Sequence, residues 1–154
     1  KREMEALEEI VGAAVSRVAK RKGDHQIIVD IPDDFIMIYA DGTLIEQVLV
    51  NLFDNAIKHT PSNSIITISA YIEDDSIIFE VSDNGPGIAE KDLPFIFNRF
   101  HTVNISKHGR RGIGLGLTIC KSIVEAHGGT ITVFNRSEGG TVFHFSLPAG
   151  EGQQ

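Results

Sequence analysis

Four polar residues, Gln47, Asn51, Asn55 and Lys58, follow one another at steps of four, four and three. At ~100° per residue on an α-helix, that spacing gathers them within an arc of about 80°. A solvated helix face is the plain account of such a stripe. Asparagine weakens that account, because it is a mediocre helix former and Glu, Lys or Gln would serve a solvated face better. Two asparagines one turn apart, with a lysine below, offer amide carbonyls to a hard cation and an ammonium to a phosphate. A second group is Asp83-Asn84-Gly85-Pro86-Gly87-Ile88. A simple turn explains its glycines and proline. It does not require the aspartate, whose carboxylate can accept from an exocyclic amine while Gly85 and Gly87 let a flat ring approach the backbone. The third group is Gly112-Ile113-Gly114-Leu115-Gly116-Leu117, running into a helical pattern. Its spacing is G-x-G-x-G, and no strand precedes it, so a Rossmann dinucleotide site does not fit. Backbone amides at a helix N-terminus suit phosphate oxygens all the same. Lys107, His108, Arg110 and Arg111 lie just upstream, the densest basic stretch of an acidic chain. Alone they read as a solvated loop; beside a phosphate cradle they read as part of it.

The elements that must position these groups follow from periodicity. Leu7, Ile10, Val11, Ala14, Val15 and Val18 mark an amphipathic helix closing on Lys20-Arg21-Lys22 before Gly23, cations that complement the helix dipole. Gln26–Ile31 and Phe35–Tyr39, split by Pro32-Asp33-Asp34, predict a hairpin. Asp41 or Thr43 can cap a helix running to His59 and stopped by Thr60-Pro61, with Ile45, Val48, Leu49, Leu52, Phe53 and Ala56 as its apolar face. Two strands, Ile65–Glu73 and Ser76–Ser82, meet at Asp74-Asp75. From Gly85 to Gly140 the chain carries ten of its fifteen glycines, and the polar stretch near 98–111 is too long for an ordinary connection. A functional, mobile loop is expected there. A helix from Leu115 to His127 stops at Gly128-Gly129, and Thr130–Asn135 and Thr141–Leu147 form a closing hairpin. The order predicts an α/β two-layer sandwich: a mixed, largely antiparallel sheet with three helices on one face, one domain over 1–148, and a frayed tail over 149–154.

Composition narrows the function. With 154 residues the chain makes one domain, and 14 Lys and Arg against 21 Asp and Glu give a net charge of −7. That charge disfavours non-specific nucleic-acid binding. The single cysteine, Cys120, cannot form an internal disulfide, which favours a reducing compartment, and its apolar neighbours predict a buried small hydrophobe. No apolar run reaches membrane-span length, so no membrane contact is expected of this domain. The chain starts at Lys1 and reads as a piece of something larger, so this says nothing of a parent protein.

Taken together, the motifs resemble the ATP-binding catalytic domain of bacterial sensor histidine kinases, within the gyrase, Hsp90, histidine kinase and MutL superfamily. Asn51 to His59 is similar to that family's N box, Asp83 to Ile88 to its G1 box, Phe97-Asn98-Arg99-Phe100 to its F box, and Gly112 to Leu117 to its G2 box. Gly139-Gly140-Thr141 resembles its closing glycine motif. The boxes stand in family order over almost the whole chain. Asp41-Gly42-Thr43-Leu44, Gly128 to Thr132 and Asn135 to Gly140 further resemble the potassium-responsive, Kdp-type branch.

The resemblance implies a Bergerat-type ATP-binding fold, with ATP and Mg²⁺ as its ligands. By the resemblance, Asn55 holds the Mg²⁺ carried by the triphosphate and Asn51 supports it. Lys58 reaches a phosphate, and His59, where many relatives have Tyr, touches the nucleotide. Asp83 accepts from the adenine amino group, with Gly85, Gly87 and Ile88 around the ring. Asn98 to Arg111 is the ATP lid, hinged at Gly109 and Gly112. Arg99 faces the γ-phosphate. Phe100, Arg110, Arg111, Gly112, Ile113, Gly114, Leu115, Gly116, Leu117 and Thr141 complete the nucleotide site. The implied reaction passes the γ-phosphate to a histidine on a separate dimerisation domain, which then phosphorylates a response regulator. The implied setting is a cytoplasmic domain of an inner-membrane protein, monomeric in isolation.

One position separates the superfamily's chemistries. Water-activating relatives carry a glutamate four residues before the metal-binding asparagine. Here Asn51 stands there and cannot take a proton. None of His25, His59, His101, His108, His127 and His144 lies in a His-acidic-x-x-x-Pro setting, so the acceptor histidine is expected elsewhere. Two rivals remain, an anti-sigma-factor-type serine kinase and a protein-interaction module that keeps the fold without the chemistry. Asn51 argues against the first, and the intact Asp83 and Asn55 against the second.

Overall fold

A computed structural model of the chain describes residues 1–98 and 114–149. Its elements run β1 (Glu3–Ala6), α1 (Leu7–Ala19), β2 (Gln26–Asp30), β3 (Met37–Ala40), α2 (Gly42–His59), β4 (Ile65–Glu73) and β5 (Ser76–Asp83). A single 3-10 turn at Leu93–Phe95 follows, then α3 (Gly114–Ala126), β6 (Thr130–Asn135) and β7 (Thr141–Pro148). The main sheet has five strands in the order β2-β4-β5-β7-β6. Its β4–β5, β5–β7 and β6–β7 pairs are antiparallel, and β2–β4 is parallel. The mixed, largely antiparallel sheet predicted above is therefore present, with its three helices.

The predicted hairpin between 26–31 and 35–39 is not. β2 pairs with β4 as a parallel edge strand, and β3 pairs with β1 in a separate two-stranded sheet. The reason lies in the connections. Parallel strands need a crossover, and the chain between β2 and β4 contains a long helix able to make one. That crossover lays α2 over the sheet. β3 instead turns Ile38 and Ala40 inward, at 1% and 0% exposure, where they join the helical side of the core. The partner it needs there is Glu3–Ala6, a strand the sequence reading missed.

One face of the sheet makes the core. On β4, Ile66, Ile68 and Ala70 alternate inward, on β5 Ile77, Phe79 and Val81, and on β7 Phe143, Phe145 and Leu147. The strand register sets these residues side by side, and Phe79 stacks on Phe145 with ring centroids 4.6 Å apart. Leu7, Ile10, Val11, Ala14 and Val18 of α1, the apolar stripe of α2, and Leu117, Cys120 and Val124 of α3 join them in one cluster. Burial pushes the Cys120 thiol up to about 12, so it is an inert core residue, as its neighbours predicted.

Polar contacts tie the helices to one another. Asp41 caps α2 by accepting the Leu44 N–H at 3.1 Å. Arg21, at the end of α1, grips Asp54 of α2 with two bonds of 2.8 and 3.0 Å, so the basic cluster there serves helix packing. His127, just past α3, donates from Nδ1 to the Ile123 carbonyl and accepts the Asp41 N–H at Nε2, 3.1 Å away. That pair of bonds sets its tautomer and fastens the end of α3 to the start of α2. Among the described residues, no helix is long and apolar enough to cross a membrane.

Candidate functional site

The site is built along the polar stripe of α2. Its apolar face is locked into the core by Val48, Leu49, Leu52 and Phe53, each fully buried, which fixes the helix's rotation and turns Asn51, Asn55, Lys58 and His59 away from the sheet. Asn51, Asn55 and His59 are half-buried and Lys58 is exposed. Asn51 accepts from the Gln47 amide at 2.8 Å and donates to the Gly116 carbonyl at 3.4 Å, so the stripe reaches the first turn of α3. Cys120 and Val48 make a second α2–α3 contact, thiol to carbonyl at 3.7 Å. At the other end, the Thr60 methyl would stand 2.5 Å from a Cβ on Gly85, so the loop after β5 rests against the end of the stripe. Only glycine permits that approach.

Asp83 is where the sheet's inward register runs past the core. Ile77, Phe79, Val81 and Asp83 all point the same way, and Asp83 is only 7% exposed. A carboxylate left there needs partners. Its Oδ1 accepts from the Gly85 N–H at 2.9 Å and the Thr141 N–H at 3.3 Å, while its backbone carbonyl accepts from Arg136 at 2.9 Å. Burial raises the pKa of the carboxyl above its ordinary value, and the Gly85 and Thr141 N–H groups and the Arg136 charge pull it back. An inward-facing carboxylate with one oxygen already oriented by the backbone can accept from an amine edge brought in beside it.

The turn that follows β5 is held from behind. Gly87 has φ +86°, and Gly140, at φ +105°, packs so closely that a Cβ there would lie 1.9 Å from the Asp83 carbonyl oxygen. Asn84 accepts from the Ile65 N–H at 2.8 Å. Asn135 bonds both polar atoms of the Ile88 backbone, accepting its N–H at 2.9 Å and donating to its carbonyl at 2.7 Å. No local motif marks Thr60, Asn135 or Arg136 as site residues. A turn-former such as asparagine at the end of a strand, just before Gly139-Gly140, is the trace it leaves.

Beyond β5, Phe97 packs edge-on against Phe143 with centroids 6.1 Å apart, and its carbonyl accepts from Thr118 of α3 at 3.3 Å. This anchors the start of the F-box segment to the core and to α3. The structure brings together Asn51 with Gly116, the end of the α2 stripe with Gly85, and Asp83 with Gly85 and Thr141. Leu117 is buried in the core at 1% exposure, so its side chain supports the α3 turn from beneath. Gly114 and Leu115 open α3. Arg99, Phe100, Arg110, Arg111, Gly112 and Ile113 lie outside the described residues, as does most of the predicted loop.

The donor set bears on a metal. Among the described residues, no three His, Cys, Asp or Glu side chains gather to hold one. A half-buried amide at Asn55 suits a hard cation as a single oxygen ligand, which fits an ion whose remaining ligands are phosphate oxygens and water. Around Gly116 there is room for such phosphates: among the described residues, nothing lies within 4 Å of where its Cβ would stand.

A two-layer α/β domain with its glycine turns and an inward aspartate at one end of the sheet defines a nucleotide-binding class. Residues 40–151 match the histidine kinase-, DNA gyrase B- and HSP90-like ATPases, and the chain belongs to that family, as an ATP-binding domain of the sensor histidine kinase kind. It is 51% identical over 150 residues to the sensor protein KdpD of Clostridium acetobutylicum, covering 96% of this chain and 17% of that protein. The KdpD of Escherichia coli is 40% identical over 148 residues, covering 96% and 16%. The chain thus spans about a sixth of the length of these relatives. Among solved structures, histidine kinase ThkA in complex with the response regulator TrrA superposes with a TM-score of 0.81 at 30% identity, covering 99% of this chain and 43% of that one.

Proposed function

We propose that this domain binds ATP with Mg²⁺ and presents the γ-phosphate to a histidine on a separate dimerisation domain, from which it passes to a response regulator. The observation that carries the reading is the buried Asp83 carboxylate, oriented by two backbone N–H groups and set at one end of the α2 stripe whose other end meets α3. From Asn51 to Thr60 that path is about 13 Å at ~1.5 Å per residue, the scale of an extended nucleoside triphosphate. The base lies at the Asp83 end, where the carboxylate accepts from its amino group, Gly85, Gly87 and Ile88 flank the ring, and Thr141 steadies the carboxylate. The phosphates lie toward Gly114 to Leu117, on the N-terminal amides of α3.

Asn55 holds the Mg²⁺ that neutralises charge on the phosphate oxygens, Lys58 adds a second positive charge, and His59 borders the nucleotide. The family resemblance assigns Arg99 to the γ-phosphate and Phe100, Arg110, Arg111, Gly112 and Ile113 to the nucleotide, all six outside the described residues. Asn51 positions: its amide nitrogen donates to Gly116. A glutamate there would set a carboxylate against that carbonyl and would activate water. The asparagine does neither, and leaves the γ-phosphate for a protein nucleophile. Catalysis is then positioning and charge stabilisation rather than acid–base chemistry on this chain.

The relatives support the setting. Both KdpD proteins are named as sensor proteins, and ThkA is seen with a response regulator. The Kdp-type motifs at Asp41 to Leu44, Gly128 to Thr132 and Asn135 to Gly140 favour a potassium-responsive parent kinase attached to a membrane. The test mixes this chain with a histidine-bearing dimerisation domain and γ-labelled ATP. Label appears on the added domain's histidine and then on a response regulator, while the chain alone releases little phosphate. Steady phosphate release by the chain alone that vanishes in Asn51→Ala contradicts the reading. Transfer to a protein serine replaces it with the serine-kinase alternative.

A further inference from the structure

The contacts behind the Asp83 turn do more than close a loop. Asn135 is the last residue of β6 and pairs across the sheet with Thr141, the first residue of β7. Thr141 donates its N–H to Asp83. The strand register therefore sets Asn135 one strand away from the residue that orients the carboxylate. From there its side chain crosses to Ile88 and bonds both backbone polar atoms, at 2.9 and 2.7 Å, as a neighbouring strand would. It also sits 3.0 Å from where a Cβ on Gly87 would be, with Gly87 held at φ +86°. The next residue, Arg136, donates to the Asp83 carbonyl at 2.9 Å and is itself held by Glu138 at 2.8 Å. Its backbone N–H donates to the Gly140 carbonyl at 2.8 Å. The segment from Asp83 to Ile88 is thus gripped at both ends by two consecutive residues, Asn135 and Arg136.

We infer that Asn135 is a positioning residue for base selection: its two bonds to Ile88 hold the Gly87–Ile88 peptide at the distance from Asp83 that admits an amino-purine and disfavours an oxo-purine. The inference rests on the nucleotide reading above. An amide is required, because one group must accept and the other donate. Alanine supplies neither, and aspartate supplies only the acceptor, turning a second oxygen on the Ile88 carbonyl. Once released, the peptide at Gly87 is free to move, since glycine imposes little preference of its own. The carboxylate stays in place, because Gly85 and Thr141 still hold it.

The test is calorimetric titration of ATP and of inosine triphosphate, which carries a carbonyl where adenine has its amino group. Both are used with Mg²⁺, on the unmodified chain, Asn135→Ala and the isosteric Asn135→Asp. The expected result is a preference for ATP that falls about tenfold in both variants, the scale of one or two lost hydrogen bonds. Affinity for inosine triphosphate changes by less than about twofold. If both nucleotides weaken in parallel and the preference survives, Asn135 is merely structural and the inference is wrong. An unmodified chain that shows no preference between the two nucleotides overturns the Asp83 reading and this inference with it, so the two failures are told apart. Asn135→Asp preserves side-chain size and keeps the comparison available if the alanine variant does not fold.

Discussion

The two ends of the site are made differently. At the Asp83 end the protein supplies several bonds to one turn: Gly85, Thr141, Arg136 and Asn135 contribute hydrogen bonds, and Gly140 packs against the Asp83 backbone. At the α3 end the described contacts are sparse. One 3.4 Å bond links Asn51 to Gly116, and among the described residues nothing lies within 4 Å of where a Cβ on Gly116 would stand. The base end is preorganised by the fold; at the phosphate end, among the described residues, a single side-chain bond joins the α2 stripe to the first turn of α3. Rigidity goes where a neutral ring must be recognised by shape, whereas strongly charged phosphates are attracted over a longer range.

Four substitutions probe that contrast. Asp83→Asn turns an acceptor into a donor at the base edge and lowers ATP affinity by about a hundredfold in calorimetry. Its stability should move the other way. The Asp83 pKa is raised in the folded state, so ionisation opposes folding. The cost is absent near and below pH 4, where the unfolded carboxyl is also protonated, and develops as pH rises through the folded pKa. Asp83→Asn therefore melts no lower than the unmodified chain at pH 7, and its relative advantage shrinks on acidification. Thermal melts at the two pH values check this.

Gly140→Ala is the second. At φ +105° and 1.9 Å from the Asp83 carbonyl, the new methyl strains the base end with no ligand present. A loss of about 2 kcal/mol in urea unfolding is expected, with weaker ATP binding following from it. Gly116→Ala is its counterpart at the phosphate end. Glycine in a helix costs up to ~1 kcal/mol relative to alanine, so this variant is as stable as the unmodified chain or slightly more so. It loses several-fold in ATP affinity because the methyl occupies phosphate space. Equal stability losses for the two glycine variants would erase the distinction between the ends. The smallest effect belongs to Arg21→Ala, whose partner Asp54 is not among the site residues. Its pair with Asp54 is half exposed, and its removal costs under about 1 kcal/mol in the same unfolding measurement and leaves ATP affinity unchanged.

What the sequence revealed follows the same division. The α2 stripe was legible because the 3.6-residue period alone places Asn51, Asn55 and Lys58 on one face. Asp83 was legible because a plain turn accounts for Gly85, Pro86 and Gly87 but not for an aspartate set before them. Strand partners were not legible. Alternation marks 26–31 and 35–39 as strands but says nothing of which strand each joins, and the intervening Pro32-Asp33-Asp34 imitates a hairpin turn. Glu3–Ala6 contains no β-branched residue and is a strand only because β3 needs a neighbour. Thr60, Asn135 and Arg136 act through Gly85, Ile88 and Asp83, a packing contact across 25 positions of sequence and hydrogen bonds across 47 and 53, never within one local pattern.

The central claim is that Asp83 reads the base while the α2 stripe and α3 take the metal-bound phosphates. Titrating ATP into the unmodified chain and into Asp83→Asn, each with and without Mg²⁺, tests it most directly. The account predicts binding by the unmodified chain that strengthens with Mg²⁺ and falls about a hundredfold in Asp83→Asn while the variant remains folded. Equal ATP affinity in the two folded proteins would contradict it.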